Sequence, residues 1–422
     1  MPLQKLQFQP GINRETTSYT NEGGWFDGDK VRFRQGFPEK IGGWEKLGSK
    51  SFLGSCRALW PWRTLNLDAF IGVGTHLKYY IESGEGYYDI TPTRATTSAG
   101  DVTFAATNGS STLTVSDPSH GAVVNDFVTF SGAASLGGNI TAAVLNQEYQ
   151  INEIVDSSTY KIIARAAGSL DSITDDGQYS PTSVAANSSD TGNGGSSVVG
   201  TYEINVGLDT SVIGNGWGAG AWARGTWGSA ATVDLITDTL RIWTHDNFGE
   251  DLIINVMNGG IYYWDASAVN SLTNPAVAIS DLVGADLAPT IAKKVIVSDV
   301  DRHVIAFGCD PLDNIGQQDP LLIRFSDQEN VVDWRPTTTN TAGDLRLGSG
   351  SKIVTAVETR QQILVFTDVS LHAMQYIGPP FTFGINMISE NVTIRSPIAV
   401  AAVEDTVYWM GKNEFYVYNG GV

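Results

Sequence analysis

The chain has 422 residues and a formal net charge of −19, 45 acidic against 26 basic. That length calls for at least two domains or one large closed β architecture with insertions, and the charge excludes diffuse attraction of the whole surface to phosphate backbones. Hydrophobic residues make up 42% and charged residues 17%, with 46 Gly, 11 Trp, 15 Tyr and 16 Phe, a balance that suits strands joined by tight turns and excludes a bundle of long amphipathic helices.

The N-terminus, MPLQKLQFQP, lacks the apolar core of a secretion signal, and no window approaches the ~20 apolar residues of a membrane span. Synthesis and assembly in a cytosol follow as the expectation. Residues 1–50 are dense in Gly, Arg and aromatics, notably GGWFDGDKVRFRQGFPEKIGGW at 23–44, and read as short strands punctuated by turns. Arg32, Arg34 and Lys40 are basic residues in an otherwise acidic chain, which marks them as candidate assembly contacts. The plainer reading is a solvated strand face.

Next comes a unit that recurs down the chain, an apolar run and then an aromatic run joined by a few turn residues. It stands at 69–81 (AFIGVGTHLKYYI), 251–265 (DLIINVMNGGIYYWD), 362–378 (QILVFTDVSLHAMQYIG) and 406–420 (TVYWMGKNEFYVYNG), with a looser copy from 303–308 to 321–325. Each copy reads as one hairpin. From the copy near 258 onward the spacing is in the ~40 to 50 residue range of propeller blades. The fold class predicted is therefore all-β, an irregular β-propeller built of repeated hairpins, with an ordinary β-sandwich as the rival.

Between the first two copies the composition shifts to Ser, Thr, Ala and Gly, which marks an insertion. Its first half, about 100–165, alternates apolar and polar residues with Gly or Asn at the turns and predicts a small β-barrel of five or six strands. Residues 166–200 read as a polar linker. In GNGWGAGAWARGTWG (214–228) three tryptophans alternate with glycines. Trp217, Trp222 and Trp227 are read as wedges at an assembly contact, with a ligand-binding aromatic platform as the alternative. The expected domains are 1–92 (N-terminal strands and first blade), 93–230 (inserted barrel, linker and Gly/Trp segment) and 231–422 (remaining blades).

Chemistry-bearing patterns are sparse. The five histidines, His76, His120, His245, His303 and His372, stand beside no nucleophile signature, and neither GxSxG, HExxH, CxxC nor a phosphate-cradling GxxxxGK[ST] occurs. No catalytic, metal-binding or cofactor-binding residue is assigned. Cys56 and Cys309 each lie in an apolar stretch and read as reduced, buried thiols. Asp299 and Asp301 read as alternating along one strand, so that both carboxylates share a side and could hold a metal or share a proton, although charged strand ends or salt-bridged turns account for a lone DxD more often. SDQENVVDW (326–334) echoes the Ser-x-Asp-x-Gly-x-x-Trp turn of sugar-cleaving propellers in Ser326, Asp327 and Trp334, but the spacing is wrong and the glycine is absent. Asp327 keeps a turn-closing role in this reading, and a glycan-binding or glycan-hydrolysing propeller remains the alternative function.

Long stretches resemble the packaged-DNA stabilisation, or tail nozzle (hub, tail tubular), proteins of short-tailed phages. They are FQPGINRETTSYTNEGGWFDGDKVRFRQGFPEKIGGW (8–44), HDNFGEDLIINVMNGGIYYWD (245–265), SDQENVVDWRP (326–336), the run from Thr339 to Ile385, and VYWMGKNEFYVYNG (407–420). The insertion resembles a small barrel module of phage structural proteins, which implies a docking or decorating role. The family resemblance implies a non-enzymatic virion protein that assembles in the host cytoplasm as a ring, commonly a hexamer, below the portal and its adaptor. Such a ring retains the packaged double-stranded DNA, passes it through an acidic lumen without reading its sequence, and docks tail fibres or spikes. The chain stops at GGV directly after a hairpin, where the resemblance implies further strands; either the chain is short or a C-terminal part is missing.

Overall fold

The computed structural model describes residues 9–15, 17, 19–43, 50–167, 182–209 and 240–420. The chain divides into two units, Met1–Ser49 and Lys50–Val422. The division at 49 falls inside the expected segment 1–92 and separates its N-terminal strands from the strands of the first blade.

In the first unit Val31–Arg34 pairs with Phe37–Lys40. The two-residue turn has φ of 51° at Gln35 and 86° at Gly36, the doubly left-handed geometry that matches strand twist in a tight hairpin and suits glycine at the second position.

The second unit contains five antiparallel sheets that form the blades of a β-propeller. In chain order the blades comprise Cys56–Arg63, Ala69–Thr75, Tyr79–Ser83 and Gly86–Asp89; Trp243–Phe248, Asp251–Val256, Ile261–Trp264 and Val277–Ala278; Lys294–Val297, Val304–Phe307, Leu322–Phe325 and Gly343–Arg346; Ile353–Glu358, Ile363–Thr367, Ser370–Gly378 and Thr382–Glu390; and Val400–Val403, Thr406–Met410 and Phe415–Tyr418. The recurring hairpins of the sequence are the second and third strands of each blade. In blades two, three and four they are mostly apolar because both faces of the blade are covered by its neighbours, the pattern of a doubly buried strand. Alternation decides which neighbour each side chain meets. Leu252 and Ile254 pack with Phe70, Tyr79 and Trp243 toward blade one, while Ile253 between them packs with Val295 and Val304 toward blade three. Ile363 and Val365 likewise join Ile305 and Phe307 of blade three, whereas Leu364 and Phe366 join Val407 and Trp409 of blade five. Among the described residues no equivalent cluster links blade five to blade one.

The insertion forms a seven-stranded antiparallel sheet in the spatial order Thr93–Thr96, Val199–Glu203, Phe127–Ser131, Glu148–Asp156, Thr159–Ile163, Thr112–Ser116, Thr103–Ala106. It curls round one core containing Phe104, Phe130, Tyr149, Ile151, Tyr160 and Tyr202. Register shifts within Glu148–Asp156 let that strand serve both halves of the curl, as bulges do at barrel corners. The barrel thus begins at Thr93 and closes with Val199–Glu203, beyond the expected limits of 100 and 165. Within the expected linker, the described residues 182–200 pack against it instead. Val198 and Ala186 are buried in its core, and the Asp190 carboxylate accepts backbone N–H bonds from Gly138 (2.7 Å), Asn139 (3.0 Å), Ile140 (3.0 Å) and Asn187 (2.8 Å). Polar side chains hold this segment by satisfying backbone donors, so low hydrophobicity did not mean a linker.

Candidate functional site

The first strands of the blades run side by side in one direction around an axis. Thr244 Oγ1 accepts from Val295 N (3.3 Å), Asp246 Oδ2 accepts from Val297 N (2.9 Å), Lys294 Nζ donates to Thr355 Oγ1 (3.4 Å) and Glu358 Oε1 accepts from Asp299 N (3.0 Å). They enclose an axial cavity of about 300 Å³ whose lining includes Trp60, His245, Lys293, Lys294, Thr355 and Val400. Charged residues are segregated along these strands. Lys293, Lys294 and Lys352 stand at the starts of these strands, and Asp246, Asp299 and Glu358 toward their ends. Burial pulls both Lys293 and Lys294 down to about 8, with Lys352 adding to the effect at Lys293 and Asp246 opposing it at Lys294. Burial also raises Asp246 to about 6 and Glu358 to about 7. His245 falls to about 4, through burial and then Lys294, and its Nδ1 lies 3.2 Å from the Tyr79 hydroxyl. The imidazole is therefore neutral at physiological pH, held between Tyr79 and the ring of Trp60.

A second constellation joins blade one to the barrel. The Lys78 ammonium, on blade one, lies 2.5 Å from Asp89 of the same blade, 2.5 Å from Glu148 and 2.8 Å from Glu203 of the barrel. It also sits 4.2 Å from the centre of the Phe127 ring. The three carboxylates converge closely enough to hold a metal ion, but Lys78 supplies the cation such a group needs. Burial alone would strip Lys78 of its proton; Asp89, Glu148 and Glu203 outweigh it and hold the ammonium well above the ordinary lysine value. Burial pushes Glu203 well above the usual carboxylate range, and Asp89 and Glu148 add to it against the pull of Lys78. One ammonium thus faces three carboxylates, of which Glu203 is held toward its protonated form. Beside this group a cavity of about 700 Å³ opens among Lys50, Tyr80, Tyr87, Tyr88, Asp89 and Glu148.

No known family profile matches the chain, and no curated protein matches it. Among solved structures it is similar to an endosialidase of phage phi92, at 12% identity over 84% of this chain and 52% of that one, with a TM-score of 0.26. It is also similar to PorZ of the Porphyromonas gingivalis type-IX secretion system, at 10% identity over 92% and 43%, TM-score 0.28. The AfRom2 CNH domain matches at 9% identity over 87% and 96%, TM-score 0.25. The chain spans about half the length of the first of these proteins. Likenesses this distant carry no functional argument.

The residues singled out in the sequence fall in different places. In the N-terminal hairpin Arg32 lies opposite Glu39 and Arg34 opposite Phe37, whereas Lys40 lies opposite Val31. Opposed residues share a face, so Arg32 and Arg34 stand together on one side and Lys40 on the other. Arg32 also donates to Glu39 at 3.2 Å, which leaves Arg34, beside exposed Phe37, as the main basic feature. Trp217, Trp222 and Trp227 lie outside the described residues. Asp299 and Asp301 are not strand neighbours: the strand ends at Val297 and both fall in the turn that follows, Asp299 exposed and Asp301 buried. Cys309 is buried as expected, but Cys56 is exposed, because it opens an edge of blade one.

Asp327 does close a turn, accepting from Thr341 N (2.8 Å) and from Thr341 Oγ1 (2.7 Å). That hydroxyl also meets His303 Nε2 at 3.0 Å and accepts from Gln328 N at 3.0 Å, so Thr341 and Asp327 tie the turn together. Trp334 is 1% exposed and packs between blades two and three, where it cannot stack on a sugar. The axial lysines and the Lys78 cluster were missed because they join residues far apart in the chain, and only the blade and barrel closures bring them together.

Proposed function

We propose that the chain is a structural component of a short-tailed phage tail, a nozzle or hub that assembles as a homo-oligomeric ring. In this reading it sits below the portal adaptor in the virion, retains packaged double-stranded DNA, and gives it a conduit without sequence-specific binding. Tail fibres or spikes dock on its outer elements. The reading rests on the long sequence stretches that resemble that family, and on one structural feature that a lone propeller does not need. The face of blade five turned away from blade four is apolar and open: Phe415 is 82% and Tyr408 53% exposed, and Met410 and Val417 lie beside them in register. The last strand, Phe415–Tyr418, is also an unpaired sheet edge among the described residues. Contiguous apolar faces and open edges of this kind are ordinarily covered, by further strands or by a partner, and a second copy of the chain is the cover this function supplies. Native mass spectrometry and electron microscopy of the purified chain test it: closed rings are expected, and a strictly monomeric protein at micromolar concentration contradicts it.

A glycan-binding propeller is the second reading. It is favoured by the cavity lined by Tyr87, Tyr88, Asp89 and Glu148, since sugars are held by aromatic faces together with carboxylates. Binding on a glycan array that disappears in Tyr88→Ala supports it, and silence of the intact protein on the array removes it.

A further inference from the structure

A smaller cavity, about 150 Å³, lies where the barrel's two connections meet blade two, and its lining includes Arg94, Asn205, Arg241, Gly259, Gly260 and Tyr262. Arg241 is only 2% exposed. Its Nη2 donates to the Asn205 carbonyl, but its Nε and Nη1 are buried without an acceptor, as is Nε of Arg94. Arg94 Nη2 donates to the His120 carbonyl at 2.8 Å and lies 4.0 Å from Asp126. Each guanidinium is backed by an aromatic ring, Arg94 at 5.0 Å from Tyr202 and Arg241 at 5.5 Å from Trp243. Gly207 leaves room for this arrangement, since a Cβ there would sit 2.2 Å from Cβ of Arg241.

The nearby acid does not complete the site. The Asp126 carboxylate is fully buried and already accepts from Val123 N (3.0 Å), Val206 N (2.8 Å) and Asn205 Nδ2. Asp117, the other acid that acts electrostatically on Arg94, is likewise committed, accepting from the Tyr202 hydroxyl, and neither carboxylate bonds to Nε or Nη1 of Arg241. Buried guanidinium donors left without acceptors are costly. A tetrahedral oxyanion supplies what is missing, because it offers several acceptors at once and guanidinium forks match its geometry. The volume admits phosphate or sulfate and excludes a nucleotide.

We propose that Arg94 and Arg241 form a binding site for a small oxyanion of the phosphate or sulfate class, which pins the barrel's entering and leaving segments to blade two. The site is independent of the nozzle reading. The test is isothermal titration calorimetry of the full chain with sodium phosphate and with sodium sulfate, paired with thermal melts against sodium chloride at matched ionic strength. One saturable site per chain is expected, with a melting temperature that rises with phosphate or sulfate beyond the chloride control. Arg241→Met and Arg94→Gln are each expected to weaken binding at least tenfold. If Arg241→Met does not fold, as judged by circular dichroism, Arg94→Gln decides alone. Equal effects of phosphate, sulfate and chloride on the intact protein, or undiminished binding in Arg94→Gln, overturn the proposal.

Discussion

Lys78 shows how one side chain fastens two modules. Burying an ammonium is tolerable here because three carboxylates meet it within 2.8 Å, and removing it would leave buried acids without a counter-charge. Lys78→Met is therefore expected to cost about 3–5 kcal/mol, read from urea unfolding. Glu203 gives the complementary prediction. Its pKa is raised in the folded protein, chiefly by burial, so its contribution to stability is fully present below its ordinary value of 4.5 and is lost as pH rises through the folded value. Glu203→Gln should flatten that decline: the variant gains on the parent as pH increases, and urea midpoints measured from acid to mildly alkaline pH check it. A constant difference at every pH contradicts this assignment.

At the scale of elements, blade one and blade two meet through Trp243, whose Nε1 donates to the Thr75 carbonyl at 2.6 Å. Gly74 makes this contact possible, because a Cβ there would lie 2.5 Å from Trp243 Cδ1. Gly74→Ala should destabilise the protein by about 1–3 kcal/mol through overpacking, as measured by thermal unfolding. In the barrel, Asp190 holds the segment that follows residue 182. Burial would raise its pKa, but the backbone donors of Asn187, Ile140, Gly138 and Asn139 outweigh it and lower it. This contribution is present above the ordinary value of 3.8 and is lost as pH falls through the folded value. Asp190→Ala should cost about 1–3 kcal/mol at neutral pH, with the gap narrowing in acid; a gap that persists there places the loss elsewhere.

These elements also show what the sequence could reveal. The middle hairpins were legible because doubly buried strands run largely apolar, as in VIAF of blade three; its partner LIRF carries the buried Arg324 among apolar residues. The first strands were not: residues 243–248 mix charge and aromatics because Trp243, His245 and Asn247 meet blade one while Thr244 and Asp246 accept from the first strand of blade three. The strand Val199–Glu203 was hidden in a polar stretch, since hydrogen bonding rather than hydrophobicity fixes what precedes it. No local pattern could signal Lys78 with Glu203, 125 residues apart, or Arg94 with Arg241.

For the second unit as a whole, a propeller carries a barrel against blades one and two and leaves an apolar face on blade five. Replacing Phe415, the most exposed residue of that face, tests its use without disturbing the core. Phe415→Glu should change monomer stability by no more than about 0.5 kcal/mol, because the side chain is exposed, while sedimentation shows assembly reduced. The most direct measurement is an electron-microscopy reconstruction of the assembled virion tail that locates this chain. Rings of copies around the DNA channel below the portal, with blade five covered by a neighbouring copy, are the expected result; copies confined to the capsid shell, or absent from the particle, would contradict it.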